Sequence, residues 1–587
     1  MSLNIIGISA YYHDSACCLL QDGQLVAAAQ EERFTRIKHD PSLPRNAFRY
    51  CLKESGLSIG EINCVAYYED PIKKLERQVW TGLQSKEFFS PRHILKLDPT
   101  TPEREIRELL GYEGLIQYHE HHLSHAASCY FFSGFSDAAI LTVDGVGEWA
   151  TTTYGRGFGS NLELFEEVKF PHSIGLLYST LTAYLGFDVN DAEYKVMGLA
   201  PYGQPKYTDK IWNLIKLNED GQYSLELNYF NFIQGGSMYS DKLIELFGRP
   251  PRKPESDLDS FTKDVAKSLQ VVLEEILLNK VNYLYKVGNS KNLCMAGGVA
   301  LNCVANGNII KNGPFENVFI QPAASDAGSA LGAAALSHVD LAKKATVQRL
   351  EHVYLGPKFS NSNIASLFHS SKAPVTDYRN REDELFYDVA KKLSDGKVIG
   401  WFQGRMEFGP RSLGARSILA DPRGPSMRDK INALVKKREA FRPFAPAVLA
   451  DKQSEHFDIH YPSPFMLGTC QVTSVLDLPA ITHVDNSARI QTVDIRSNYR
   501  FARLIQEFEK LTNCPILLNT SFNLRGEPVV CNPIDAILCF IRSEIDCLVI
   551  EDFLLNRLDI PDAWLKWFKN TKPRTNSAIS SSMYTFL

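Results

Sequence analysis

The sequence predicts a two-domain α/β chain whose first domain is an internal duplication. Three features predict it. A strand, a polar turn and a second strand occur within residues 4–21 and again within 138–154. Strand-like and helix-like hydrophobic patterns alternate along the chain, as in sheets covered by helices. The polar stretch 337–352 then precedes a fresh run of elements from about Tyr354, so the domains are drawn at 1–345 and 346–587.

Residues 4–31 read as three strands, Asn4–Ser9, Ala16–Gln21 and Leu25–Gln30, with Asp22-Gly23 as a two-residue hairpin signal. The tight polar turn Tyr11–Ser15 is suited to point side chains into a cleft. A helix follows over Arg45–Gly56. The cadence returns as Ala138–Val143, the turn Asp144–Glu148, and Trp149–Tyr154. Duplicated halves facing one another form the cleft of actin-like (ribonuclease-H-like) ATPase folds. Helical periodicity covers 173–186 and 260–286. Strand Lys291–Ala296 ends in Gly297-Gly298 before the helix Val299–Asn308, an arrangement that offers backbone N–H groups to an anion or nucleobase. The turn Ala323–Ser329 leads into a small-residue helix, Ala330–Leu336. No Gly-x-x-x-x-Gly-Lys-Ser/Thr occurs, so this is not a P-loop enzyme. The tail from about Lys569 is polar and expected to be mobile.

Four of the fourteen histidines fall in seven residues, His119 to His125. On a helix His121 and His125 share one face and can share a metal ion, whereas a run of solvated histidines is the plainer alternative. His122 points about 100° away and is expected to support or pack. Asp144 at a strand end lies where α/β sheets present ligands.

Composition narrows the classes. The chain has 587 residues, 44% of them apolar, enough for two or more cores. A net charge of −5 gives no basic field for nucleic acid, and no apolar run approaches the roughly 18–20 residues that span a bilayer. No signal peptide is read at the N-terminus, and none of the twelve cysteines forms Cys-x-x-Cys; Cys17, Cys294 and Cys539 read as buried thiols. A cytoplasmic protein is expected.

In the second domain, residues 404–444 carry Arg405, Arg411, Arg416, Arg423, Lys436, Lys437, Arg438 and Arg442 among Gly, Pro and Phe. Guanidinium forks match phosphate and carboxylate, so this reads as an anion site; a solvated basic loop is the alternative. The stretch Leu518–Pro528, rich in hydroxyl and amide groups, follows an apolar strand.

Gly7–Ala16, His121–Ala126, Val143–Glu148, Glu193–Gly203, Gly297–Cys303, the 404–444 stretch and Asn519–Asn523, taken together and in order, resemble the O-carbamoyltransferase family that modifies nodulation sugars and antibiotics. The resemblance runs from residue 6 to about residue 530. It implies an actin-like domain similar to tRNA threonylcarbamoyl transferases, followed by a YrdC-like α/β domain. In the latter, carbamoyl phosphate would yield carbamate, which attacks ATP (bound with Mg) to give carbamoyl adenylate and pyrophosphate. In the former, the carbamoyl group would pass to an acceptor hydroxyl as AMP leaves.

The resemblance further implies a metal set of His121, His125, Asp144 and Asp326, with Fe(II) the family expectation and Zn or Mn compatible with the donors. It places His13 beside the acceptor as a proton acceptor and Lys38 near the adenylate phosphate. It implies Gly297, Gly298 and Asn302 as adenylate contacts. Arg411, Arg416, Lys436, Arg438 and Arg442, completed by Arg489 and Ser521, are implied for triphosphate and carbamoyl phosphate. Ala192, Ser325 and Ser329 stand where the family pattern has glycine, and the added Cβ atoms are expected to narrow ligand turns; Ser412 and Ala415 depart from the usual Ala and Asn. The acceptor implied is a small secondary metabolite with a primary hydroxyl, such as an antibiotic, toxin or sugar derivative; a homodimer is the default assembly.

Three other classes compete. An actin-like sugar kinase would release ADP. A zincin protease needs Glu after its first histidine, where this chain has His122. An ATP-regulated binding protein would need neither the metal set nor the second anion site.

Overall fold

The computed structural model describes residues 2–84, 97–436, 439 and 441–569. Of the described residues, those up to Glu31 together with His39–Leu350 form one compact unit, and Glu32–Lys38 together with those from Glu351 to Lys569 form the other. The segment 32–38, drawn with the first domain from sequence, is built into the second unit. Arg36 donates to the carbonyls of Val529 and Pro528 at 2.6 and 2.7 Å, Arg33 donates to that of Gly409 at 2.9 Å, and Phe34 packs on Met406, Val529 and Cys531.

The first unit holds two five-stranded sheets. Strands β1 (Asn4–Ser9), β2 (Ala16–Gln21), β3 (Gln24–Gln30), β4 (Cys64–Tyr67) and β5 (Leu115–Tyr118) lie in the order β3-β2-β1-β4-β5. Strands β1 to β3 are antiparallel, while β4 and β5 run parallel to β1. Strands β6 (Asp137–Val143), β7 (Ala150–Phe158) and β8 (Asn161–Lys169), a small hairpin β9 (Ile215–Leu217) and β10 (Tyr223–Leu225), then β11 (Asn292–Ala296) and β12 (Asn317–Ile320) follow. The second sheet runs β8-β7-β6-β11-β12 with the same directions. The duplication is therefore present strand for strand, and the topology is actin-like. Every residue of β1 is buried, as a central strand covered on both faces requires. Asp22 and Gly23 both take positive φ, 49° and 79°, as a primed hairpin turn demands.

Helix starts differ from expectation where polar side chains intervene. The histidine helix spans His121–Tyr130 behind an extended Glu120, which leaves His119 outside it. Beyond Gly297 a short 3-10 turn comes first; Asn302 then accepts from the Ala305 N–H at 3.0 Å and starts the helix Cys303–Asn312. The small-residue helix begins at Asp326 and runs to Ala342. A Cβ on its Gly332 would collide with the Ser124 carbonyl. Glycine there lets the helix seat directly on the histidine helix, which brings its first residue, Asp326, to the histidines.

The second unit is α/β. Its eight-stranded mixed sheet comprises β13 (Val375–Asp377), β14 (Ile399–Phe402), β15 (Arg416–Ala420), β16 (Ala445–Leu449), β19 (Gln491–Val493), β20 (Ile516–Ser521), β21 (Cys547–Ile550) and β22 (Phe553–Asn556). The two-residue strands β17 (Cys470–Gln471) and β18 (Ser487–Ala488) pair separately. Trp401, Phe402, Ile418, Leu517 and Val549 are among the buried residues of its core. Among the described residues no helix is long and apolar enough to cross a membrane, and Cys17, Cys294 and Cys539 are buried.

Candidate functional site

One helical turn separates His121 from His125, so both rings leave the same face, with their Nε2 atoms 3.1 Å apart. Asp144, one residue past β6, brings Oδ2 to 3.0 Å from His121 Nε2 and 3.5 Å from His125 Nε2. Asp326 Oδ1 lies 3.7 and 3.6 Å from the same two nitrogens. All four ligand atoms fall within 4.8 Å of one another, and all four residues are buried. Asp326 is 1% exposed, yet neither of its oxygens accepts a hydrogen bond from a described residue. A carboxylate in that position is costly unless a cation balances it, and two imidazoles with two carboxylates suit a borderline divalent ion.

The supports of this set were only partly legible in sequence. Ser329 places its hydroxyl 3.0 Å from His125 Nδ1, so the serine expected to crowd the turn orients a candidate ligand instead. The Gly298 N–H donates to Asp144 Oδ1 at 2.9 Å, and that of Gly297 to the Ala324 carbonyl at 2.8 Å. These amides, expected to be open to an adenylate, are used to fix a ligand and a turn. Asn302 is likewise engaged, capping its helix and exchanging amide hydrogen bonds with Gln270 at 3.0 and 3.1 Å. Glu148, missed from sequence, accepts from the His121 and Asp70 N–H groups at 2.9 and 2.7 Å and so tethers the first turn of the helix. Its only signal was an acidic residue ending the 144–148 turn. His122 turns to Thr142 at 2.6 Å, and His119 to Ser337 at 2.8 Å, so neither joins the set.

The electrostatics follow from burial and pairing. Burial would lower the His125 pKa, but the carboxylates of Asp144 and Asp326 outweigh it and raise it to about 9. Burial would raise the Asp144 pKa, but hydrogen bonds from the two histidines hold it well below the usual range. His13 lies on the β1–β2 turn with Nδ1 3.2 Å from Asp14 Oδ2. Burial works against its charge, but Asp326 and Asp14 lift its pKa to about 9. Lys38 ends the 32–38 segment and belongs to the second unit.

In the second unit strand register gathers several expected residues at one end of the sheet. Ser521 at the end of β20 pairs with Ser417 at the start of β15. Asn519 pairs with Ala445 at the start of β16, and Ala447 with Gln491 at the start of β19. Arg411, Arg442, Arg489 and Ser521 therefore all flank that end. The arginine loop is held there by Glu407, whose Oε1 accepts from the Leu413, Ala415 and Arg416 N–H groups at 2.7, 2.8 and 3.2 Å. Gln491 and Asn519 tie down Leu413 and Ser412 through their carbonyls, at 2.8 and 3.2 Å. Arg416 corrects the sequence reading. It is fully buried over the Phe402 ring, and its terminal nitrogens donate to the carbonyls of Gln403, Ala415, Pro357 and Gly404. Those bonds occupy its terminal donors, so Arg416 braces the loop rather than facing an anion. Arg438 and the side chain of Lys436 lie outside the described residues.

The family profile described as Carbamoyltransferase N-terminus matches residues 4–86 and 110–335, and Carbamoyltransferase C-terminus matches 390–557. An uncharacterized protein of Synechocystis is 47% identical over 95% of this chain and 97% of its own length. Nodulation protein NolNO of Sinorhizobium fredii is 37% identical over 95% of this chain and 81% of its own. Among solved structures, component A of the Acidaminococcus fermentans (R)-2-hydroxyglutaryl-CoA dehydratase covers 58% of this chain and 100% of its own at 14% identity and a TM-score of 0.31, a slight likeness. With both family domains matched in order across its two units, the chain belongs to the carbamoyltransferase family.

Proposed function

We propose that the second unit makes carbamoyl adenylate from carbamoyl phosphate and ATP, and that the first unit passes the carbamoyl group to a hydroxyl of a small-molecule acceptor. The observation that carries the reading is the convergence of His121, His125, Asp144 and Asp326 on one buried point. A divalent ion held there, Fe(II) by family expectation, would supply Lewis-acid polarisation of the carbamoyl donor. The chain's own groups do the rest. Asp144 and Asp326 provide the negative charge that retains the ion, while Ser329 and Glu148 fix the histidines. His13 in its neutral form accepts the acceptor's hydroxyl proton, and a cation beside Asp326 would favour that form by offsetting the charge that raises its pKa. At the sheet end of the second unit, Arg411, Arg442 and Arg489 neutralise phosphate charge as pyrophosphate departs.

The test is product analysis on a nucleotide column with ATP, Mg, carbamoyl phosphate and glycerol as the hydroxyl acceptor. The expected products are AMP and pyrophosphate, formed only when carbamoyl phosphate is present. ADP would overturn the proposal in favour of the phosphotransferase that a duplicated actin-like topology also suits.

A further inference from the structure

The β1–β2 turn begins a chain of acid–base contacts of which the functional reading above uses only His13. The Asp14 carboxylate is shared: Oδ2 lies 3.2 Å from His13 Nδ1, an ion-pair approach short of hydrogen-bond alignment, and Oδ1 accepts from His39 Nδ1 at 2.7 Å. The far nitrogen of His39, Nε2, sits 3.2 Å from Asp191 Oδ1. The order is His13, Asp14, His39, Asp191, and all four side chains are at most one quarter exposed.

The backbone is committed to this arrangement. Tyr11 N–H donates to the Pro41 carbonyl at 2.7 Å, Ser15 N–H to that of Asp40 at 3.2 Å, and Ser15 Oγ to that of Ser42 at 2.6 Å. The turn carrying His13 and Asp14 is thus laced to the residues that follow His39. Tyr11, Asp14 and His39 take φ of 68°, 53° and 53°, a left-handed region that costs a residue with a side chain. Three such residues in one contact persist only where the surroundings enforce them, and such clusters mark functional sites. A solvated ion pair requires none of this.

We propose that Asp14 and His39 are positioning residues for His13. Asp14 holds Nδ1 protonated, so that Nε2 faces the acceptor, and it stabilises the imidazolium once formed. His39, held from behind by Asp191, keeps the Asp14 carboxylate from rotating away. In the step they serve, the acceptor O–H bond breaks and its proton goes to His13 Nε2. The oxygen bonds to the carbamoyl carbon, and the carbon–oxygen bond to phosphate breaks with its electron pair leaving on AMP. This rests on the proposed role of His13 as acceptor base.

Two readouts separate positioning from mere structure. The first is the proton NMR spectrum of the resting full-length protein, far downfield of the amides, where carboxylate-bonded imidazole protons appear. His13→Gln is expected to remove one line and His39→Gln another, while His39→Gln also shifts the His13 line and Asp14→Asn abolishes the His13 line and displaces that of His39. The second is AMP release dependent on carbamoyl phosphate, with glycerol as acceptor. There kcat should fall by about 100-fold in Asp14→Asn and about 10-fold in His39→Gln, with KM for glycerol changed less than about 3-fold. A His13 line indifferent to His39→Gln and Asp14→Asn overturns the proposal, whether or not kcat falls. If Asp14→Asn does not fold, His39→Gln and Asp191→Asn carry the same test. If the unmodified protein carbamoylates nothing while the His13 line moves as stated, the positioning stands and the acceptor-base reading alone fails.

Discussion

Arginine side chains in the second unit show how residue type and residue role part company. Arg411, Arg416 and Arg489 look alike in sequence, yet Arg416 is wholly buried and bonded to four main-chain carbonyls, whereas Arg411 and Arg489 are half-buried at the sheet end. Nothing in a Gly- and Pro-rich stretch tells which guanidinium turns inward, because the carbonyls that bind Arg416 come from three separate points of the chain, Pro357, Gln403-Gly404 and Ala415. The expected consequences diverge. Arg416→Met strands buried carbonyls at about 1–3 kcal/mol each, which for a unit of this size lowers the melting temperature on the order of 10 °C. Arg489→Ala should leave the melting temperature within about 2 °C and raise KM for ATP or carbamoyl phosphate roughly 10-fold, the loss of about one charge-assisted hydrogen bond. Circular-dichroism melts alongside AMP-release kinetics distinguish the two. An Arg416→Met protein that melts normally and shows only a raised KM would return Arg416 to the anion site.

Strands were the most legible elements, and helix starts the least. The strands around β1 and β6 are apolar runs closed by polar turns, so their limits are written in the residues themselves. The helices at Cys303 and Asp326 begin where Asn302 caps and where Gly332 permits close packing, and neither is a periodicity. The segment 32–38 was assigned to the wrong unit because its partners, Gly409, Pro528 and Val529, are remote in sequence. The long helix Ser260–Gly288 hides a further element-scale feature. Its Lys280 is fully buried, donates to the carbonyls of Gly221 and Gln222 at 2.8 and 3.3 Å, and thereby pins the β9–β10 hairpin. Burial pulls its pKa down to about 8. Between pH 8 and the ordinary lysine value near 10.4, the unfolded chain still holds a proton that the folded chain has released, so this group's contribution to stability rises with pH across that window. Lys280→Met lacks the titration. The stability of the unmodified protein relative to Lys280→Met should therefore improve by up to about 3 kcal/mol from pH 7.5 to 10.5. Urea unfolding at the two pH values measures it, and a difference that is flat or falls with pH would show that Lys280 is charged at no cost.

At the scale of the whole molecule, two units with separate cores carry two different kinds of donor. The first unit gathers imidazoles and carboxylates at one buried point, and the second gathers guanidinium and hydroxyl groups at one end of its sheet; in the proposed function these serve a cation and anions respectively. The separate placing of the two donor sets was readable early, because a His/Asp set and an Arg-rich stretch lie in different halves of the sequence; what could not be read was that the Gly298 and Gly297 amides donate to Asp144 and to the Ala324 carbonyl. The division implies separable ligand effects. A ligand that binds only the folded state stabilises it by about 2.7 kcal/mol at one hundred times its dissociation constant. Anaerobic Fe(II), or Mn(II) as a redox-stable stand-in, should raise the melting temperature of the unmodified protein and leave that of His121→Ala/His125→Ala unmoved. ATP with Mg and carbamoyl phosphate should still stabilise the double variant, because its arginine site is intact, and pyrophosphate formation should persist while glycerol-dependent AMP release and glycerol carbamoylation are lost. Thermal melts in the presence of each ligand, run beside the product assay, test both halves of the expectation. Carbamoylation that survives in the metal-free double variant would remove the metal from the transfer step, and loss of ATP stabilisation in that variant would mean that the two sites do not divide the chemistry in this way.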